Sequence, residues 1–164
     1  IPAGAVQDVP LATIDVLPTL ANWLDLPLPE QPIDGKNAAP VFLAEEGAKN
    51  PHEAYYFYYK KNELQAVLDG QGQWKLMLPH TYRSLEGREG RDDGVPIKYN
   101  NNMQAVQALY DLEAEIGEIT DQQAAHPELV AKLKAQADSL RQLLGDRLTE
   151  VQGTDNRPLG KVGK

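Results

Sequence analysis

Between Tyr55 and Leu112, short aromatic and branched runs alternate with polar stretches rich in turn residues. Tyr55-Tyr56-Phe57-Tyr58-Tyr59 comes first, followed by Leu64-Gln65-Ala66-Val67-Leu68 and Trp74-Lys75-Leu76-Met77-Leu78. Leu109-Tyr110-Asp111-Leu112 follows after a long gap. Runs of this length and composition predict antiparallel strands. Asp69-Gly70-Gln71-Gly72-Gln73 predicts a hairpin loop longer than the two-residue type. Residues 79–104 read as a long polar loop, either functional or mobile. Its Arg83, Arg88, Arg91 and Lys98 are offset by Glu86, Glu89, Asp92 and Asp93, so it forms no basic patch. Met103 to Leu109 predicts a helical turn or an edge strand.

Two segments carry helical spacing instead. Ile14, Leu17, Leu20, Ala21 and Leu24 mark one face of a short helix over Ile14–Leu26, widened by Val16 and Trp23. Asp15 as N-cap would place Pro18 in the first turn, where the missing N–H costs nothing. An apolar face this wide needs a cover. The clearer helix runs from Pro127 to Gly145, with proline at its first position, Glu128 near the positive end and glycine at the stop. Leu129, Val130, Leu133, Ala137, Leu140, Leu143 and Leu144 mark its apolar face. Burial of four leucines there would contribute on the order of 6–12 kcal/mol before conformational entropy is charged. Between the two helices, Pro27, Pro29, Pro32, Pro40 and Pro51 indicate connecting structure, with one helical turn around Pro40–Ala44.

These elements predict an α+β arrangement, a small antiparallel sheet of about four strands packed against the long C-terminal helix. A composition shift at Asn50-Pro51-His52 divides the chain into residues 1–50, residues 51–148 and a patternless, flexible tail over 149–164.

Composition narrows the classes. With 41% hydrophobic residues in 164, the chain has enough apolar material for a core. A formal charge of −8 argues against a nucleic-acid binder or an anionic-membrane binder. No apolar run approaches the ~20 residues that span a bilayer. The absence of cysteine excludes disulfides, thiolate metal sites and a cysteine nucleophile. The chain begins at Ile1 without a charged-then-apolar leader, and the expectation is a piece of a longer protein.

Taken in order, the segments resemble the C-terminal part of formylglycine-dependent sulfatases of the arylsulfatase type. The matching words are Ile14-Asp15-Val16-Leu17-Pro18-Thr19-Leu20-Ala21, Ile33-Asp34-Gly35-Lys36-Asn37 and Phe57-Tyr58-Tyr59. Gln65-Ala66-Val67, Trp74-Lys75-Leu76, Leu109-Tyr110-Asp111-Leu112, Gly117-Glu118 and His126-Pro127-Glu128 follow in the family's order. Together they cover roughly residues 2–148. The chain departs from the pattern at Glu115-Ile116, at Leu68, where a basic residue is common, and in the lengthened turn Asp69–Gln73.

The resemblance implies that residues 1–50 are the end of an α/β catalytic domain plus a linker, and residues 51–148 a C-terminal subdomain bracing it. The parent would hydrolyse a sulfated carbohydrate or aryl sulfate, using calcium and a formylglycine made from a Cys/Ser-x-Pro-x-Arg motif. Such enzymes are usually periplasmic, secreted or lysosomal, and a periplasmic or secreted location is expected here. No such motif lies in this chain. Ser84 has Arg88 at the right distance but Glu86 where proline belongs, and Ser139 lies on the last helix. Asp155-Asn156 resembles the family's metal pair but follows the final helix, and Asp92-Asp93-Gly94 reads as a turn. The chain is therefore expected to hold no catalytic residue, no metal ligand and no cofactor of its own, and to be inactive alone.

Pro79-His80-Thr81-Tyr82-Arg83 resembles a stretch of near relatives. There His80 could hydrogen-bond a sulfate or leaving group and Arg83 could pair with an anion, against the plainer reading that both are solvated loop residues. Lys75 reads as a solvent-facing strand residue, His52 and His126 as turn and helix-cap residues, and Tyr55–Tyr59 as sheet packing. The expected partners are the parent's own catalytic domain and, through the exposed 14–26 helix, a second copy of the chain. Two rival readings stand beside the sulfatase one. One is a carbohydrate-binding or dimerisation module using exposed tyrosines, and the other is part of a phosphoryl-transfer hydrolase of the same parental fold.

Overall fold

The computed structural model describes residues 1–157. A 3₁₀ turn at Thr13–Asp15 leads into α1 (Val16–Trp23), and α2 (Ala39–Phe42) follows. Six strands come next: β1 (Ala54–Tyr59), β2 (Glu63–Asp69), β3 (Trp74–Met77), β4 (His80–Ser84), β5 (Asn100–Ala105) and β6 (Ala108–Asp111). The chain then forms α3 (Pro127–Leu144). The class is α+β, with an antiparallel four-stranded sheet in the order β1-β2-β3-β6 and a separate two-stranded sheet of β4 and β5.

The long loop expected over 79–104 is thus a hairpin. His80–Ser84 and Asn100–Ala105 pair across a polar tip. Neither strand alternates cleanly between apolar and polar residues, so periodicity concealed both. The two-stranded insertion leaves the main sheet intact, because β6 returns to pair with β3.

The core lies between the main sheet and α3. Leu64, Val67, Leu76, Leu78 and Leu109 pack with Leu133 and Ala137 of the helix, and Tyr56, Tyr58, Trp74, Leu129 and Val130 surround them. Leu64 and Val67 are an odd number of residues apart, which strand alternation would send to opposite faces. The register answers this: Phe57 pairs with Ala66 and Tyr58 with Leu64, so Gln65 is an extra residue in a bulge. The bulge places both side chains under α3.

The helix buries less than its pattern indicates. Of its leucines Leu133 is fully buried, whereas Leu143 is 46% exposed and Leu144 is also exposed. Gly145 ends the helix at φ +78, a value that favours glycine. Beyond it, the buried Asp146 carboxylate accepts the Leu148 and Leu64 N–H groups and the Arg141 Nε–H at 2.9, 3.3 and 2.9 Å. This ties the helix end to β2. The expected tail is described as far as residue 157. Its Thr154 and Asp155 N–H groups donate to Gln142 and Leu143 carbonyls, and Arg157 reaches Asp34 and the Pro32 carbonyl. Residues 158–164 of that tail lie outside the described residues.

The N-terminal helix is turned the other way round. Asp15, Pro18, Thr19 and Ala21 are its buried residues, while Leu17 and Leu24 are 52% and 65% exposed, and Ile14 and Leu20 are exposed with them. The Asp15 carboxylate accepts the Lys36 N–H at 2.9 Å, and Thr19 Oγ1 accepts the Ala38 N–H at 2.9 Å. Gly35 makes this approach possible, since a Cβ there would lie 1.9 Å from the Ile14 carbonyl oxygen. The apolar face does not dock on the sheet.

Leu133→Ala is expected to destabilise the chain by about 2–5 kcal/mol in urea unfolding, and Leu143→Ala by well under half of that. Similar losses for both variants would contradict this placement of the core.

Candidate functional site

The turn from β3 into β4 sets the geometry around His80. Leu78 stays in the core while Pro79 swings the chain out of the main sheet, and His80 opens the hairpin opposite Ala105. The His80 Nδ1 lies 2.7 Å from the Leu78 carbonyl oxygen. A carbonyl accepts and does not donate, so Nδ1 carries the proton, and in the neutral ring Nε2 is left as an acceptor. The Tyr82 ring stands 6.4 Å away, edge-on.

These side chains border an open groove of ≈ 450 Å³ between the hairpin and the sheet face away from α3. Met77, His80, Tyr82, Gln104, Tyr110 and Glu118 line it. Glu118 is held by Lys75, whose Nζ lies 2.6 Å from Oε1 and 5.3 Å from the Phe57 ring centroid. Lys75 does take the face opposite Trp74 and Leu76, but it is committed to a partner instead of standing free in solvent. Burial pushes the Tyr110 phenol above its ordinary value, with Asp121, Glu118 and Glu115 adding to the effect. Its hydroxyl therefore stays a donor at neutral pH.

Arg83 goes elsewhere. Three residues beyond His80 on one strand, it takes the other face of the hairpin, and its guanidinium carbon lies 5.0 Å from the Tyr99 ring centroid. The structure does not bring His80 and Arg83 to one groove. Tyr82, Tyr110 and Glu118 are brought to it, and the sequence singled out none of them as a site residue. Tyr110 and Glu118 stood there as family words, and the spacing between them, a strand and a loop, carries no periodic signal.

The remaining candidates have structural settings. Ser84 Oγ accepts the Glu86 N–H, and Ser139 Oγ donates to the Ala135 carbonyl on an exposed helix face. Asp93 pairs with Arg91, and the Asp155 N–H caps the Leu143 carbonyl. Among the described residues no group of three or more His, Cys, Asp or Glu side chains gathers as a metal cluster. Tyr56 and Tyr58 pack on the core, and the Tyr58 hydroxyl donates to the Gly145 carbonyl at 2.9 Å. Tyr55 bonds to Pro10 and Asn50. His126 holds the helix-cap position without a side-chain hydrogen bond, and its ring lies 4.6 Å from that of Trp74.

His52 is more than a turn residue. Its Nε2 is 2.6 Å from the Oδ1 of Asp15, a carboxylate with 0% exposure. Burial disfavours the Asp15 charge, but the Lys36 N–H, the His52 ring and the Ala12 N–H outweigh it, and the carboxyl sits below its ordinary value. The pair joins residues 1–50 to the start of the sheet. Both members are spent on that contact.

No family model and no curated protein matches the chain. Among solved structures 21 chains match. One is a sulfatase from work on glycosaminoglycan metabolism by Bacteroides thetaiotaomicron, 25% identical at a TM-score of 0.50. The match covers 77% of this chain and 24% of that one. This chain is similar to a sulfatase. It spans about a quarter of that relative's length. Among the described residues no helix is long and apolar enough to cross a membrane.

A depressed carboxyl contributes stability that is complete above its unfolded value, 3.8, and is lost as pH falls through the lower folded value. Asp15→Asn is therefore expected to cost about 1–3 kcal/mol at pH 7 and to flatten the decline of unfolding free energy below about pH 4. An unchanged acid limb in urea titrations would show that Asp15 carries no such linkage.

Proposed function

We propose that this chain is the C-terminal part of a formylglycine-dependent sulfatase, bracing the catalytic domain and lending it the His80 side of a substrate pocket. The observation that carries the reading is the match to a sulfatase over 77% of the chain and 24% of the relative. The ordered words from Ile14 to Glu128 support it independently. Calcium and formylglycine belong to the parent's catalytic domain. The described residues of this chain gather no ligand set for the metal, and the chain has no cysteine.

The inverted helix favours a bracing role. A helix whose polar side chains bond inward and whose leucines face outward is poorly suited to water and well suited to a middle layer. In this reading α1 packs its Ile14, Leu17, Leu20 and Leu24 face on the α/β domain that precedes it. Pairing with a second copy through the same face is the rival, and in either case the face is covered. A periplasmic or secreted location accompanies the sulfatase reading. His80 is the substrate-side residue of this chain. Arg83, stacked on Tyr99, is a weaker candidate than its spacing implied.

The purified 164-residue chain is expected to show no hydrolysis of 4-nitrophenyl sulfate above buffer. The sequence preceding Ile1 in the parent is expected to carry Cys/Ser-x-Pro-x-Arg. Turnover by the isolated chain, freed of contaminating enzyme, or a parent lacking that motif, would overturn the proposal.

A further inference from the structure

We infer that the groove between the β4–β5 hairpin and the sheet binds an uncharged, hydroxyl-rich ring, such as an unsulfated sugar unit, rather than a sulfate group. This inference rests on the reading of the His80 side as substrate-facing and names the chemistry of that side. Four observations carry it. The His80 Nδ1–H is spent on the Leu78 carbonyl, so the neutral ring offers an acceptor, which suits a hydroxyl donor and repels the lone pairs of a sulfate oxygen. Glu118 supplies a second acceptor through the carboxylate oxygen that Lys75 does not take. The cations nearby are committed: Lys75 to Glu118, Lys60 to the Thr81 carbonyl and hydroxyl, and Arg83 to the Tyr99 face. Tyr82, 40% exposed, presents an aromatic surface on which the C–H face of a ring can rest.

The Tyr110 hydroxyl adds a donor, whereas Gln104, paired with Thr81, turns its amide to the Asn102 carbonyl on the other face of the hairpin. An alternation of donors and acceptors around an aromatic wall matches a polyol. It matches an anion poorly, because an anion needs convergent donors and a positive field. A chain carrying sulfate on one unit and none on its neighbour would place the bare unit here.

The inference is tested by titrating the 164-residue chain at pH 7.5 with methyl β-galactoside, N-acetylglucosamine and sodium sulfate, followed by amide NMR. Saturable, millimolar-range shifts with at least one of the two sugars are expected at residues 77, 80–82, 104 and 110, and none there with sulfate. Tyr82→Ala should weaken that binding about tenfold, His80→Leu similarly, and His80→Gln by less than about threefold because it keeps an acceptor. Arg83→Ala should leave it unchanged. Amide shifts elsewhere in the spectrum report whether each variant is folded. Sulfate binding in the groove, no response to either sugar, or sugar binding indifferent to Tyr82 would overturn the inference. Those outcomes leave the sulfatase reading standing, since that reading fails on the parent's motif and turnover instead.

Discussion

The main sheet is apolar on both faces, and the chain supplies one long helix to cover it. Leu64, Val67, Leu76 and Leu109 lie beneath α3. On the other face the register aligns Tyr55, Leu68, Lys75 and Tyr110 in one row and Phe57, Ala66, Met77 and Ala108 in the next. Ala66 and Ala108 are buried there, yet Phe57 and Tyr59 remain exposed. An antiparallel sheet standing alone usually turns a polar face to water. This one does not, and much of the remaining structure follows from that. The hairpin of β4 and β5 leans over one end of the open face and creates the His80 groove. Lys75 lies across Phe57 and takes Glu118 as its partner.

Three buried carboxylates hold the segments around the sheet. Asp15 joins the N-terminal helix to the Lys36 backbone and to His52. Glu63 meets Arg147 and Gln65, and Asp146 joins the end of α3 to β2. Each accepts from two or more donors, which offsets the cost of burying its oxygens. Apolar contacts are tolerant of small shifts. A carboxylate bonded to a defined N–H is far less so, and these ties fix where the helices sit relative to the strands.

Much of this was legible beforehand where one physical rule acts alone. The strands β1, β2, β3 and β6 were readable because aromatic and branched residues suit a pleated, packed surface. The last helix was readable from Pro127, Gly145 and its leucine spacing. The strands β4 and β5 were not, since their side chains alternate between a small groove and water and neither face is apolar. Of the site, His80 was legible from its neighbours in the chain. Tyr110 and Glu118 were not, because they meet it through strand pairing and loop return, whereas Tyr82, two residues along the same strand, shares its face by alternation.

By itself the sequence determined the α+β class, the main strands, the stop and start of the long helix and the sulfatase resemblance, because each rests on local propensity or on ordered short words. Tertiary structure decided which face each pattern uses. The leucine stripe of α1 looked like a buried face and lies outward, because Asp15 and Thr19 find backbone partners inward and hydrogen bonds are directional where apolar attraction is not. A one-residue bulge at Gln65 put Leu64 and Val67 on the same side, and pairing across the sheet committed Lys75 and Arg83 to partners of their own. Spacing along the chain carries no record of such pairings, since the partners come from segments tens of residues apart.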